Sequence, residues 1–525
     1  MNNRRRLGLL AVAFLAGIAS WGVASDELVG RVKEVLPEVA VEGLTPAEYW
    51  NHQIGLANWL QVERPARVAD TPVTVQLTAD EIQGIEEPEQ TNAAPLQVGL
   101  VVPLTAPVSL DGLSSSKTGN TRRDGQIAGG AFTRTRDGGF VWSLAVRSEG
   151  AGGIRVHIEG LSLPRNAELY FYSDAGEAYG PYTGFGPDNN GDLWTPSIIG
   201  PQGTVQVRVY ADNGKADLDG VSLRITEVGH ISRSFFGIAE EEGGVASFCT
   251  YNAPCIENTN CVNESAVNDL ENAVAKMLWV QGCCIYTCSG GLIADSDAGT
   301  QIPYFMTAGH CITSSNSGLE AFFKYQVSCG TSNCTATFTD PPSSLIAGKT
   351  VGATIKASGS ISNGDYSLLQ LNQNPPAGSF FLGWTTTPVS GTNGAVLHRV
   401  SHPEGSPQAY SQAEVDTGAG TCQGWPRGPL IYSRGTIGGT QGGSSGAPVI
   451  NASGQFVGQL TGGCGTNIND DCDHQSNATV DGAFAHYYPN VASFLAGGGG
   501  CQPAGTTCSS NSQCCSNRCR GNRCR

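Results

Sequence analysis

No cysteine occurs in the first 248 residues of this 525-residue chain, although 18 follow. Twelve lie between Cys249 and Cys472, and six fall in the last 25 residues. Charge is also scarce: 14% of residues are charged, and 30 basic residues stand against 46 acidic ones, for a net charge of −16. Phosphate binding needs a basic face, so this balance argues against nucleic acid as a partner. The 70 glycines follow no Gly-X-Y period, which excludes collagen and points to turn-rich β structure. A 40% apolar share is enough to bury a core, so wholesale disorder is excluded. Long apolar runs are missing too. The longest, Leu7 to about Ala19, falls short of the ~18–20 residues that span a bilayer.

That run has a different use. Arg4, Arg5 and Arg6 precede it and small residues follow around Gly22–Ser25, the layout of a secretory signal peptide over residues 1–25. The expectation is an exported, extracellular protein, with no membrane span in its mature form, in a compartment where disulfides persist.

Residues 26 to about 95 are acidic and mixed, with helices expected around Asp26–Val35 and Pro46–Leu60. Apolar and polar residues then alternate in Phe140–Val146, Ile154–Ile158, Glu168–Tyr172, Thr204–Tyr210 and Val221–Ile225, separated by Gly, Asn, Asp and Pro clusters. This predicts a β-sandwich-like part at 140–230. Tyr170, Tyr172, Tyr179 and Tyr182 read either as a sugar-stacking platform or as core packing, and packing is favoured. The position of 26–245, after a signal peptide and before a cysteine-rich body, suggests a removable prosegment. Arg233 is one basic candidate for the processing point, and the stretch before Cys249 is another.

Residues 246–497 are rich in Gly, Ser and Thr, with strand-like runs at Val274–Val280, Tyr304–Thr307, Tyr366–Leu371 and Gln455–Leu460. Helices are expected at Glu264–Ala273 and Tyr488–Leu495. A linker and a six-cysteine tail occupy 498–525.

Three segments carry chemistry: Met306-Thr-Ala-Gly-His310-Cys311, Asn363-Gly-Asp365-Tyr, and Gln441-Gly-Gly443-Ser444-Ser445-Gly446-Ala-Pro448. A serine hydroxyl is a poor nucleophile until a base takes its proton, so Ser445 needs His310 in reach. Asp365 would fix the tautomer of that imidazole, and the N–H groups of Gly443 and Ser445 would form an oxyanion hole. Losing one such donor typically costs ~3 kcal/mol in barrier. On these residues and their order, the chain resembles the chymotrypsin-like serine proteases, and more closely their bacterial lysyl endopeptidase branch. The resemblance covers roughly 249–497. It implies an all-β fold with a double β-barrel, a serine endopeptidase acting on protein or peptide substrates without a cofactor, and catalytic roles for His310, Asp365 and Ser445. It also implies a substrate-pairing strand at Leu460-Thr461-Gly462-Gly463.

The same resemblance locates departures. Animal-type members place an aspartate at the position of Ser444, where it pairs with a newly cut amino terminus. Serine cannot supply that charge, so activation is expected to proceed by removal or release of the prosegment. Trypsin-like selection of basic side chains uses an aspartate six residues before the nucleophile, and Gly439 stands there. The lysyl branch uses an aspartate further on, and aligning the pocket glycine with Gly482 puts Thr479 at that position. Asp481 is close but out of register, and a gap brings Asn477 there instead. Residues 249–497 hold 16 acidic against 7 basic residues, which mildly favours basic substrates.

Resemblance further implies a Cys288–Cys311 bridge, and less firmly Cys249 with Cys472 and Cys255 with Cys329 or Cys334. A zinc site is the rival reading of the surplus cysteines, and His398-x-x-x-His402 is a weaker metal pair because Pro403 and Gly405 favour a loop. No metal is assigned. The tail resembles inhibitor-cystine-knot miniproteins, which implies Cys501–Cys515, Cys508–Cys519 and Cys514–Cys524, one of fifteen connectivities. With Arg518, Arg520, Arg523 and Arg525 and no acidic residue, the tail is either an anchor to an anionic or polysaccharide surface or an inert staple. A second class of function stays open: an exported binding or adhesion protein on an inactive protease-like barrel.

Overall fold

A computed structural model describes residues 33–34, 46–86, 92–110, 124–236, 253–330, 348–496, 519–520 and 523–524, with short omissions at 67, 69, 128, 213–214, 217–219, 298 and 423. The signal-peptide reading, Cys249 and Cys334 lie outside them, as does the helix expected at Asp26–Val35 apart from Lys33–Glu34. Those two residues form a short strand against Phe380–Phe381 rather than a helix. Among the described residues, no helix is long and apolar enough to cross a membrane.

The alternating segments at 140–230 form the expected sandwich. One sheet orders Asp124–Ile127, Gly130–Arg134, Phe140–Ser148, Gln202–Val209, Ala167–Tyr172 and Ala178–Tyr182, with Val73–Val75 parallel to Phe140–Ser148. A second sheet contains Gly153–Ser162, Ser222–Ile231 and Leu96–Leu110. Their inward faces bury Trp142, Leu144, Val156, Ile158, Phe171 and Val207 between them. The helix Pro46–Glu63 starts on proline, whose fixed φ suits a first helical turn. It lays Ala57 and Leu60 on Tyr170 and Tyr172. These tyrosines are therefore packing residues, not a stacking platform.

The cysteine-rich body is two six-stranded antiparallel barrels. In the first, Val274–Gln281 lies between Cys284–Leu292 and Asn316–Phe323, followed by Lys349–Gly359, Tyr366–Leu371 and Tyr304–Ala308, which closes onto Cys284–Leu292. The second runs Ala409–Val415, Val396–Ser401, Pro448–Asn451, Phe456–Gly465, Asn477–Ala483 and Leu430–Ile437, closed by pairing of the first and last. Their strands read as nearly unbroken apolar runs because both faces are covered: Val274–Gln281 is buried through Leu278 and Trp279. The helix Ser265–Ala273 buries Val267, Leu270 and Ala273, one helical face, and Phe484–Leu495 closes the body.

The sandwich and the first barrel share one sheet. Leu96–Leu110 pairs with Ser222–Ile231 along most of its length, and its first residues pair with Cys284–Leu292, Leu96 opposite Thr287 and Leu100 opposite Cys284. Eleven strands are thereby joined. Across this seam Leu96, Val98, Ile231, Phe235 and Phe236 pack on Leu278, Ile285, Phe322 and Tyr325. Four ionisable side chains are buried there as well. Arg155 of the sandwich lies 3.7 Å from Glu320 of the barrel, which Lys349 approaches to 2.9 Å. Lys349 also donates to Ser197 O at 2.7 Å, and Glu177 accepts from Ile199 N at 2.6 Å.

Two of the bridges differ from expectation. Cys472 pairs with Cys255, at Cα–Cα 5.6 Å, rather than with Cys249, and Cys329 pairs with Cys261 rather than Cys255. The loop carrying Cys255 reaches Gly439 beside Cys472, which spacing along the chain does not reveal. Cys288–Cys311 forms as implied, and Cys283–Cys284 and Cys422–Cys464 complete the described set. Of the tail, only the hairpin Cys519–Arg520 with Arg523–Cys524 is described, so the three implied tail bridges fall outside.

Candidate active site

His310 follows the strand Tyr304–Ala308, and Asp365 precedes Tyr366–Leu371. Those strands are neighbours, with Ala308 opposite Tyr366, so the two side chains meet at one end of the first barrel. Asp365 Oδ2 lies 2.8 Å from His310 Nδ1, and Oδ1 accepts from the His310 backbone N–H at 2.9 Å. The carboxylate is fully buried and grips both ring and main chain. Asp365 takes a left-handed φ of 48°, uncommon for a residue with a side chain. Three ties hold it there: its N–H donates to Ser360 O, and its carbonyl accepts from Gly309 N and from Gln459 Nε2.

Ser445 lies on the turn before Pro448–Asn451 and is 7% exposed. The turn needs its glycines. Gly443 and Gly446 have φ of 88° and 84°, and a Cβ on Gly446 would sit 2.2 Å from Thr307 Oγ1. Ser289, inside the Thr-Cys-Ser-Gly-Gly segment, fastens the turn to the first barrel. Its N–H donates to Ser445 O at 2.8 Å, and its hydroxyl donates to Gly443 O at 2.9 Å while accepting from His402 N at 3.0 Å. Among the described hydrogen bonds none uses the N–H of Gly443 or Ser445. His310 Nε2 is buried with no hydrogen-bond partner, so its expected bond to Ser445 Oγ is not formed in this state. Such bonds are often long before substrate arrives.

Ser444 is fully buried, and its hydroxyl receives Ser401 Oγ at 3.1 Å and Gln441 N at 3.3 Å. Neutral local bonds thus occupy the place where an aspartate would need a distant charge.

A cavity of about 400 Å³ opens beside Ser445, lined by Gly439, Gln441, Leu460, Gly462, Gly463 and Thr479 among others. Thr461, between them, is buried. Asn477 also lines the cavity, whereas Asp481 is fully buried behind it in a bidentate pair with Arg399, 2.8 Å from Nε to Oδ1. Arg399 reaches the lining, but its charge is matched by Asp481. The carboxylate that sequence reasoning missed is Asp471, which lines the cavity and accepts from Gln441 Nε2 at 2.9 Å. Burial pushes its pKa up, partly opposed by that hydrogen bond. Gln459 and Ser289 were equally invisible, because a lone polar residue on a strand carries no motif.

The histidines weighed as metal ligands are engaged separately: His398 Nδ1 with Tyr410 OH at 2.7 Å, and His402 Nδ1 with Ser406 O at 2.8 Å. Cys288 and Cys311 gather near His310, but their sulfurs are joined to each other and offer no thiolate.

Two family models match the chain: the lysyl endopeptidase C-terminal domain over residues 244–479, and the lysyl endopeptidase N-terminal domain over residues 123–232. A lysyl endopeptidase of Pseudomonas aeruginosa is 26% identical over 386 residues, 69% of this chain and 76% of that protein. Among solved structures, the Rv3671c protease from M. tuberculosis in its active form aligns with 48% of this chain and 93% of its own, at 16% identity and a TM-score of 0.28. The HtrA-type protease AlgWS227A with a tripeptide aligns with 47% of this chain and 67% of its own, at 15% identity and a TM-score of 0.30. Both family models match in sequence order, one on the sandwich and one on the double barrel, so the chain is similar to the lysyl endopeptidases, a group of proteases, over both of its parts.

Proposed function

We propose that this chain is a secreted serine endopeptidase made as a preproprotein, with a signal peptide at 1–25, a prosegment at 26–245, the protease at 246–497 and a cysteine-rich tail at 498–525. The observation that carries the reading is the grip of Asp365 on both the ring and the backbone of His310, whose neighbour Cys311 lies with Sγ 3.8 Å from Ser445 O. His310 Nε2 takes the proton of Ser445 Oγ as that oxygen attacks the substrate carbonyl. The N–H groups of Gly443 and Ser445 receive the oxyanion. The proton passes to the leaving amine, and water then releases the acyl group by the same steps reversed.

A preference for lysine at the cleaved bond is supported by the similarity to lysyl endopeptidases and by Asp471, a cavity carboxylate in no ion pair among the described residues. Thr479 at the alignment position supplies no charge, and Asp481 is already paired. Activation without a new amino-terminal ion pair is supported by the neutral hydrogen bonds that Ser444 Oγ accepts from Ser401 and Gln441.

A fluorophosphonate probe on the processed protein, with Ser445→Ala as control, tests the mechanism. Labelling confined to Ser445 is expected, and absence of labelling overturns it. Cleavage profiling on a peptide library tests the preference, and cuts without enrichment of lysine remove the lysyl label.

A further inference from the structure

The cleft beside Ser445 is not built from the barrels alone. Asn92, Ala93 and Ala94, which precede the shared strand Leu96–Leu110, line the same cavity as Ser445. The Asn92 carboxamide donates through Nδ2 to Gly463 O and accepts at Oδ1 from Gly463 N at 3.1 Å. That reciprocal pair is what one residue of an antiparallel peptide strand would form with Gly463, supplied here by a side chain. The missing side chain of Gly462 makes room for it, since a Cβ there would lie 2.8 Å from Asn92 Oδ1. Four residues further on, Leu96 pairs with Thr287, next to the Cys288–Cys311 bridge that adjoins His310. Ala93-Ala94-Pro95 therefore crosses the cleft between an anchor on the second barrel and one on the first, past the nucleophile.

We infer that residues 92–96 are a built-in occupant of the substrate cleft that blocks it without being cut. This rests on the protease reading above. A productive substrate runs extended and pairs through its backbone, and the crossing segment departs from that at each residue. Asn92 pairs through its side chain. Ala93 sits at φ 50°, a left-handed conformation that breaks an extended run. Pro95 has no N–H to offer and restricts Ala94 before it. The small side chain of Ala94 leaves the cavity beside Asp471 unfilled, so the block depends on main-chain anchoring rather than on side-chain specificity.

The test uses the full-length chain. In an uncleavable Ser445→Ala background, the Gly463 amide is expected to be protected from hydrogen exchange, and adding Asn92→Ala is expected to lower that protection at least tenfold. In the active chain, Asn92→Ala and Asn92→Asp are expected to raise fluorophosphonate labelling of the unprocessed protein at least tenfold. Pro95→Gly is expected to allow a cut between residues 93 and 96, read by mass spectrometry of the new amino terminus. A Gly463 amide that exchanges freely in the Ser445→Ala chain overturns the occlusion, whatever the activity. So does labelling of both Asn92 variants at the wild-type rate while processed enzyme labels normally. Loss of labelling in processed wild type, with Gly463 still protected, instead overturns the protease reading and leaves the occlusion standing.

Discussion

The carboxamide of Gln459 donates to the carbonyls of both Gly364 and Asp365, at 2.8 and 2.7 Å, and accepts from the hydroxyl of Tyr487. A strand of the second barrel thus holds in place the left-handed residue whose carboxylate orients His310 in the first. One side chain thus links the packing of the two barrels to the aim of the imidazole.

Replacing it separates positioning from binding. Gln459→Leu takes the described partners from the Gly364 carbonyl and the Tyr487 hydroxyl and one of two from the Asp365 carbonyl, a cost of about 1–3 kcal/mol in stability. On a lysyl ester the expected result is a fall of about 10–100-fold in kcat with KM little changed, because Gln459 acts through Asp365 and not on the substrate. A rise in KM at constant kcat would contradict this role.

Ser289 makes a second prediction. Its hydroxyl joins Gly443 O to His402 N, so Ser289→Ala releases the turn that aims the N–H of Gly443. A loss of about 10-fold or more in kcat is expected, below the 10²–10³-fold typical when an oxyanion donor itself is removed. Steady-state kinetics beside a melting curve checks it, since the fold should lose only about 1–2 kcal/mol.

The two acidic groups, Asp471 in the cavity and Asp481 behind it, differ in pairing. Asp471→Asn removes the unneutralised carboxylate and should lower kcat/KM for lysine at the cleaved bond by about 10-fold or more, at unchanged stability. Asp481→Asn strands the buried Arg399 and should cost about 3–5 kcal/mol, whatever the substrate. Finding the reverse pattern would assign recognition to Asp481.

At the seam between sandwich and barrel, Glu177 has its pKa pushed up to about 7, chiefly by burial, with Lys349 opposing. Tyr179, Lys349 and Glu320 face it, and Arg155 contacts Glu320 from the sandwich side. The folded chain therefore holds this proton more tightly than the unfolded chain, where a glutamate titrates near 4.5. The stabilisation is fully present below about pH 4.5 and is lost as pH rises through about 7, with a total on the order of 3 kcal/mol. Melting of the full-length chain should fall across this window, and Glu177→Gln should flatten the curve.

Much of this was legible in the sequence where chemistry forces local pattern. Gly443-Ser-Ser445-Gly446 must turn sharply, Ala-Gly-His310-Cys311 must end a barrel strand, and alternation at 140–230 must make a two-faced sheet. What stayed hidden depends on chain crossings. Cys255 and Cys472 lie 217 residues apart and meet because the second barrel closes, and no local signal distinguishes Cys255 from Cys249. Asn92 precedes a strand in a region read only as acidic and mixed, and 371 residues separate it from its partner Gly463. Asp471 stands in the run Asn469-Asp470-Asp471-Cys472, which carries no motif, and only folding sets it against Gln441.

Leu96–Leu110 completes a sheet whose neighbour, Cys284–Leu292, belongs to the enzyme body. If the sandwich departs, the main-chain donors and acceptors of Cys284–Thr287 lose their partners and become an open β-edge. An open edge invites pairing with any extended chain, another copy included. Release would thus uncover an adhesive seam together with the cleft. Four residues is a short edge, and the adjacent Cys283–Cys284 bridge crowds one end of it. The free enzyme should accordingly be least soluble when concentrated just after maturation, and the separated sandwich should be the best competitor for that seam.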